Sequence, residues 1–195
     1  MSRMENLKSS KTLVLGILIF MTFIAAAILF VSAPANQLLG ESRYGIRSAF
    51  HGLFATVFMV TVTIGFYQAF RLWTGIAVNV KELEIGSVIN SFVCFLAILS
   101  GNWLYIPYRS AEGPRNHFLE TVPEIHKIFF EFKEYAGLFT LPLVVAATYL
   151  IFRYGERLNH NRELREITAL LLVLAFFYFL ITFGLGAAIT KLKAV

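Results

Sequence analysis

The chain has 195 residues, 57% of them hydrophobic and only 15% charged. A soluble domain carries about 25% charged residues to wet its surface, so a soluble fold is excluded and residues 1–195 read as one transmembrane helical domain. The net charge of +5 gathers at the ends of apolar runs, where lysine and arginine meet lipid headgroups. It accompanies no base-reading or phosphate-tracking pattern, so no nucleic-acid partner is expected.

The predicted class is an all-α integral membrane protein, a bundle of five transmembrane helices. The first span, about 12–32, runs from Thr12 to Val31 without a charge, long enough for a bilayer that needs about 20 apolar residues. The SAPA after it mimics a signal-peptidase site, but the apolar run exceeds a secretory h-region, so a retained helix is expected. A loop with Pro34, Gly40 and Gly45 precedes the second span, about 47–71. The third, about 85–107, ends at Pro107 in an aromatic belt of Trp103, Tyr105 and Tyr108. The fourth, about 123–153, opens at Pro123, a residue suited to a first helical turn, and contains Pro142, which is expected to kink it. The fifth, about 167–190, follows a loop carrying Arg153, Arg157, Arg162 and Arg165. The single cysteine, Cys94, excludes an internal disulfide, a cysteine-ligated cluster and covalent haem attachment; it reads as a small core residue.

The lysine and arginine count favours a cytoplasmic N-terminus in a bacterial-type inner membrane. The second and fourth spans then run the same way, which puts His51 and His126 at one membrane face, each near the start of its helix. Ionisable groups inside spans point to function. Two helices each presenting a histidine at matching depth can hold one haem b by two axial nitrogens. Ser48, Gly52 and Thr56 leave one side of the second span bare, and Phe50, Phe54, Phe129 and Phe130 are apolar wall candidates. Arg47 and Arg115, with Arg43 and Arg109, are on the side where propionates need partners. A histidine in the headgroup region is the competing reading.

The fourth span opens with a ladder of charges. Glu124, Lys127, Glu131 and Glu134 fall on one stripe; His126, Phe130, Lys133 and Gly137 fall on another. Glu131, Lys133 and Glu134 are candidates for a proton path or a quinone headgroup site, or alternatively form a solvated stripe.

The run GNWLYIPYR (101–109), followed by a basic loop and a histidine opening the next helix, resembles small bacterial multi-helix membrane cytochrome b-like subunits over about Phe50 to Arg153. That resemblance implies His51 and His126 as axial ligands. The chain departs from the two-haem plan, which has two histidines on each ligating helix. The expectation is a subunit with one haem b between the second and fourth spans, carrying electrons between the quinone pool and a partner in a respiratory-type complex. A haem-free structural or assembly subunit is the alternative, and a proton or solute transporter the third. No nucleophile–base pair, phosphate loop, dinucleotide fingerprint or H-E-x-x-H spacing appears.

Overall fold

The computed structural model describes residues 45–111 and 113–192, with side chains to Thr190. Contacts divide the chain into Met1–Ile46 and Arg47–Val195, and the described residues belong to the second unit apart from Gly45 and Ile46. The expected span 12–32 lies outside the described residues. The other four are present: Gly45–Trp73, Val80–Tyr108, Ile125–Tyr154 and Arg162–Thr190 are long and apolar enough to cross a membrane. In chain order the helices are α1 (Gly45–Trp73), α2 (Val80–Tyr108), α3 (Pro114–Thr121), a π-helical segment (Ile125–Phe130), α4 (Glu131–Tyr154), α5 (Arg157–His160) and α6 (Arg162–Leu192).

Two boundaries differ from the expectation for local reasons. The third span begins at Val80 rather than 85, because the Asn79 side chain caps it, accepting from the N–H groups of Lys81 and Glu82 at 3.1 and 3.3 Å. Its first turns therefore carry Lys81, Glu82 and Glu84 out of the apolar layer. The stretch after Pro107, expected as a loop, contains α3, which starts with Pro114 in a position where the missing N–H costs nothing. The π-helical segment was also unanticipated: the Glu131 N–H donates to the His126 carbonyl, five residues back. π-turns are rare and concentrate at functional sites.

The four spans close a ring. On one side of α1 lies α2, where Gly65 approaches Asn90. On the other lies α6, where the Phe58 and Phe179 ring centroids are 4.4 Å apart. α4 meets α2 through Ser91 Oγ and Thr148 Oγ1 at 2.9 Å, and meets α6 through Gly137 and Thr182. α1 is thus diagonal to α4, and α2 to α6. Each helix turns a seam inward with steps of four and three residues. These are His51, Ala55, Phe58, Val62, Gly65, Ala69 and Leu72 on α1; Leu83, Ser87, Asn90, Cys94, Ala97 and Gly101 on α2. On α4 they are Lys133, Gly137, Thr140, Val144, Ala147 and Ile151, and on α6 Thr168, Leu172, Ala175, Phe179, Thr182, Gly186 and Ile189. A 3.5-residue repeat gives knobs-into-holes packing at shallow angles, and small residues let helix backbones approach in lipid. Phe92, Tyr149 and Phe152 face outward and are more than half exposed, which suits lipid rather than water.

At the end of the bundle that carries the arginine-rich loop, one residue fastens two loops. The Asn159 amide accepts from the Val78 N–H at 3.0 Å and donates to the Val78 carbonyl at 3.1 Å. Asn159→Ala is expected to leave both backbone groups partly buried and unpaired, lowering stability by about 1–3 kcal/mol. Thermal unfolding in detergent micelles measures this.

Candidate functional site

At the other end, where α1 and α4 begin and α2 and α6 finish, the seams become polar. His51 sits on α1 with Nδ1 3.1 Å from the Ala97 carbonyl and 3.4 Å from Ser100 Oγ. A carbonyl only accepts, so Nδ1 carries the hydrogen, and in the neutral ring Nε2 keeps its lone pair. The ring lies against Gly101, where an added Cβ would stand 3.0 Å from His51 Cε1. On the diagonal helix α4, Lys133 crosses inward to Gly186, whose added Cβ would lie 3.6 Å from Lys133 Cε. Lys133 Nζ is 4.7 Å from the Phe130 ring centre. One layer of the bundle therefore holds His51 and Lys133 on one diagonal, and Gly101 and Gly186 on the other.

His126 occupies a different layer. It is buried, with Nδ1 3.0 Å from the Tyr108 hydroxyl. Arg115 Nε, reaching in from α3, donates to its Nε2 at 3.2 Å. Arginine has no acceptor, so His126 is in the same tautomer as His51: Nδ1–H donates to Tyr108, and Nε2 accepts. Its ring packs beside Phe130, which stacks on Tyr108 with centroids 4.3 Å apart and planes 3° apart. Tyr108 is seven residues beyond Gly101 on α2, about 10 Å further along the axis. The two histidines are at the same end of the bundle but contact α2 about two turns apart.

The remaining expected residues separate. Arg47 donates to the Trp103 carbonyl at 3.2 Å and lies 5.1 Å from the Trp103 ring centre; Arg115 is on His126. Glu131 is exposed, 3.9 Å from His126 Nε2. Glu134, half-buried, lies close to the Tyr105 hydroxyl. The Arg109 guanidinium covers the Tyr105 ring at 4.3 Å. Gly52 has no neighbour within 4 Å and faces away from the seam, and Phe129 is exposed; neither joins His51. Among the described residues, no three of His, Cys, Asp and Glu gather as a metal site.

Sequence reasoning missed the place of Tyr108, Gly101 and Gly186 beside the two histidines and Lys133. The signal for Gly101 was present as the four-three spacing of small residues leading up to it, Ser87, Asn90, Cys94 and Ala97; on α6 the same spacing runs through Leu172 and Phe179. Tyr108 carries no such signal, because its partner comes from another helix. The residues fit a haem unequally. His51 keeps an unprotonated Nε2 with its other nitrogen pinned, as ligating histidines do, but its own ring fills the space over Gly101, and Lys133 fills that over Gly186, so a planar group needs both to move. His126 has both nitrogens in use. Compared with known proteins, the chain matches no protein-family model, no curated protein and no solved structure.

Proposed function

We propose that the protein is a membrane subunit that holds one haem b on His51 and carries electrons between the quinone pool and a redox partner. The observation that carries this reading is His51, a histidine at the start of a span, pinned through Nδ1 to the Ala97 carbonyl and packed on glycine of a neighbouring helix, with Nε2 left to ligate. Haem supplies a one-electron couple; the chain supplies the ligand, an apolar bundle and cations near the membrane surface. Arg47 and Arg109 stand at this end as propionate partners, and Arg115 joins them where it releases His126. His126, the second ligand expected from sequence, serves only with that release. Glu131, Lys133 and Glu134 are the groups for exchanging protons with a quinone headgroup.

A second reading is favoured by His126 itself. Held by Tyr108 on one nitrogen and Arg115 on the other, it acts as a fastener that seats α3 on the bundle, as suits a haem-free structural or assembly subunit.

A reduced-minus-oxidised spectrum of the detergent-purified protein, with pyridine haemochrome quantification, separates the two. About one haem b per chain, lost in His51→Ala, is the expected result. A folded protein without haem, prepared from haem-sufficient cells with its partners bound, would discard the first reading in favour of the second.

A further inference from the structure

We propose that a groove at the arginine-rich end of the bundle binds the headgroup of a zwitterionic phospholipid, one that carries both a phosphate and a primary amine.

Shape and depth are the first argument. The end of α4, α5 and the start of α6 enclose an open groove of about 520 Å³, lined by Tyr154, Glu156, Arg157, His160, Glu163 and Leu164. Sites for small ligands are of this order of size. Tyr154 and Leu164 pack against the bundle core and give the groove an apolar floor. The other four side chains are exposed and form a polar rim. One span ends at Tyr154 and the next begins at Arg162, so the groove lies where apolar helix gives way to polar loop. That is the depth of a phospholipid's glycerol and headgroup.

Charge is the second. Most charges at this end already have partners within the chain. Arg165 Nη1 donates to the Asn159 carbonyl at 3.2 Å, Arg162 pairs with Glu166 at 2.6 Å, and Arg71 donates to the Ala77 carbonyl. Glu156 accepts one hydrogen bond, from the Asn159 amide at 3.1 Å. Among the described residues, the Arg157 guanidinium and the Glu163 carboxylate have neither a hydrogen bond nor an ion pair, although both line the groove. Arg153, 5.9 Å from the Tyr154 ring centre, adds a second cation at its edge.

The groove therefore offers cations and two carboxylates together. Arginines at span ends ordinarily gather anionic lipids, but an anionic headgroup without an amine would meet Glu156 and Glu163 with like charge. A headgroup with both charges meets both walls. Its phosphate takes the fork of Arg157, and its ammonium, with three N–H donors, reaches the carboxylates. The same phosphate and amine occur in the water-soluble headgroup; the apolar floor favours the lipid, whose glycerol and first methylenes cover it.

The test is native mass spectrometry of the full chain in detergent with equal amounts of phosphatidylethanolamine and phosphatidylglycerol. Phosphatidylethanolamine is expected to be retained about threefold better, the size of one exposed ion pair. Glu163→Gln should abolish that preference, and Arg157→Gln should weaken retention of both lipids. A wild-type protein that prefers phosphatidylglycerol, or holds the two equally, overturns the proposal. So does a folded Glu163→Gln variant with the wild-type preference. Should a variant fail to fold, the wild-type preference decides alone. Glycerophosphoethanolamine, which lacks acyl chains, is expected not to displace the lipid at equal concentration; displacement would overturn the lipid assignment in favour of a soluble phosphate-bearing amine.

Discussion

Gly101→Leu is expected to displace the His51 imidazole, lower stability by about 1–3 kcal/mol and remove any haem spectrum. The space is already filled: a Cβ at this position meets His51 Cε1 at 3.0 Å and Nδ1 at 3.3 Å. The ring has little freedom to retreat, because leaving also breaks its hydrogen bond to the Ala97 carbonyl, which leaves a donor unpaired in a low-dielectric interior. The matched control is Gly52, one residue along α1 from His51 and open on all sides to 4 Å. Gly52→Ala is expected to leave stability unchanged or raise it by up to about 1 kcal/mol, the helix preference of alanine over glycine. Thermal unfolding by circular dichroism in detergent, with the visible spectrum recorded on the same samples, reads both. Equal behaviour of the two variants would mean that the imidazole has no fixed seat against α2.

The second large effect belongs to the His126 fastener. His126→Ala is expected to lower stability by about 3 kcal/mol, through a cavity beside Phe130 and Tyr108 and the loss of partners for the Tyr108 hydroxyl and Arg115. Tyr108→Phe removes less, about 1–3 kcal/mol, because it leaves only the buried His126 Nδ1–H without its acceptor. Arg115→Ala should cost least, since Arg115 is only half-buried and its removal leaves an acceptor rather than a donor unpaired. Hydrogen exchange across Pro114–Thr121 adds a local measure, with faster exchange expected in the first and third variants. Slow exchange in α3 of a folded His126→Ala protein would show that α3 is seated by other contacts, notably Phe118, which is also buried against Phe130 and Tyr108.

Fold class was legible because lipid leaves a strong mark on composition. Long apolar runs with charges confined to their ends have one good solution in a bilayer, a helix whose backbone satisfies itself. The four described spans follow those runs. Boundaries were less legible: Asn79 extends α2 by five residues through a side-chain cap, and the basic stretch after Pro107 hides a helix as polar as a loop. The stripe placing His126, Phe130, Lys133 and Gly137 together was readable from helical spacing, and those residues do turn toward the bundle.

Pairing between helices was not legible in the same way. His51 and His126 share an end of the bundle because the chain alternates direction from span to span, and counting spans is enough to see it. Their depths depend on the stagger of α1 and α4 against α2, which arises from packing of small residues such as Gly65 on Asn90 and Gly101 on His51. Hydropathy carries no such information, since the lipid-facing and inward faces are both apolar. The sequence by itself determined that the chain crosses a membrane, roughly where, and which few polar side chains lie inside. Only the tertiary structure decided that His51 stands level with Lys133 between two glycines while His126 is held by Tyr108 and Arg115, because register is a property of contacts between helices rather than of any one of them.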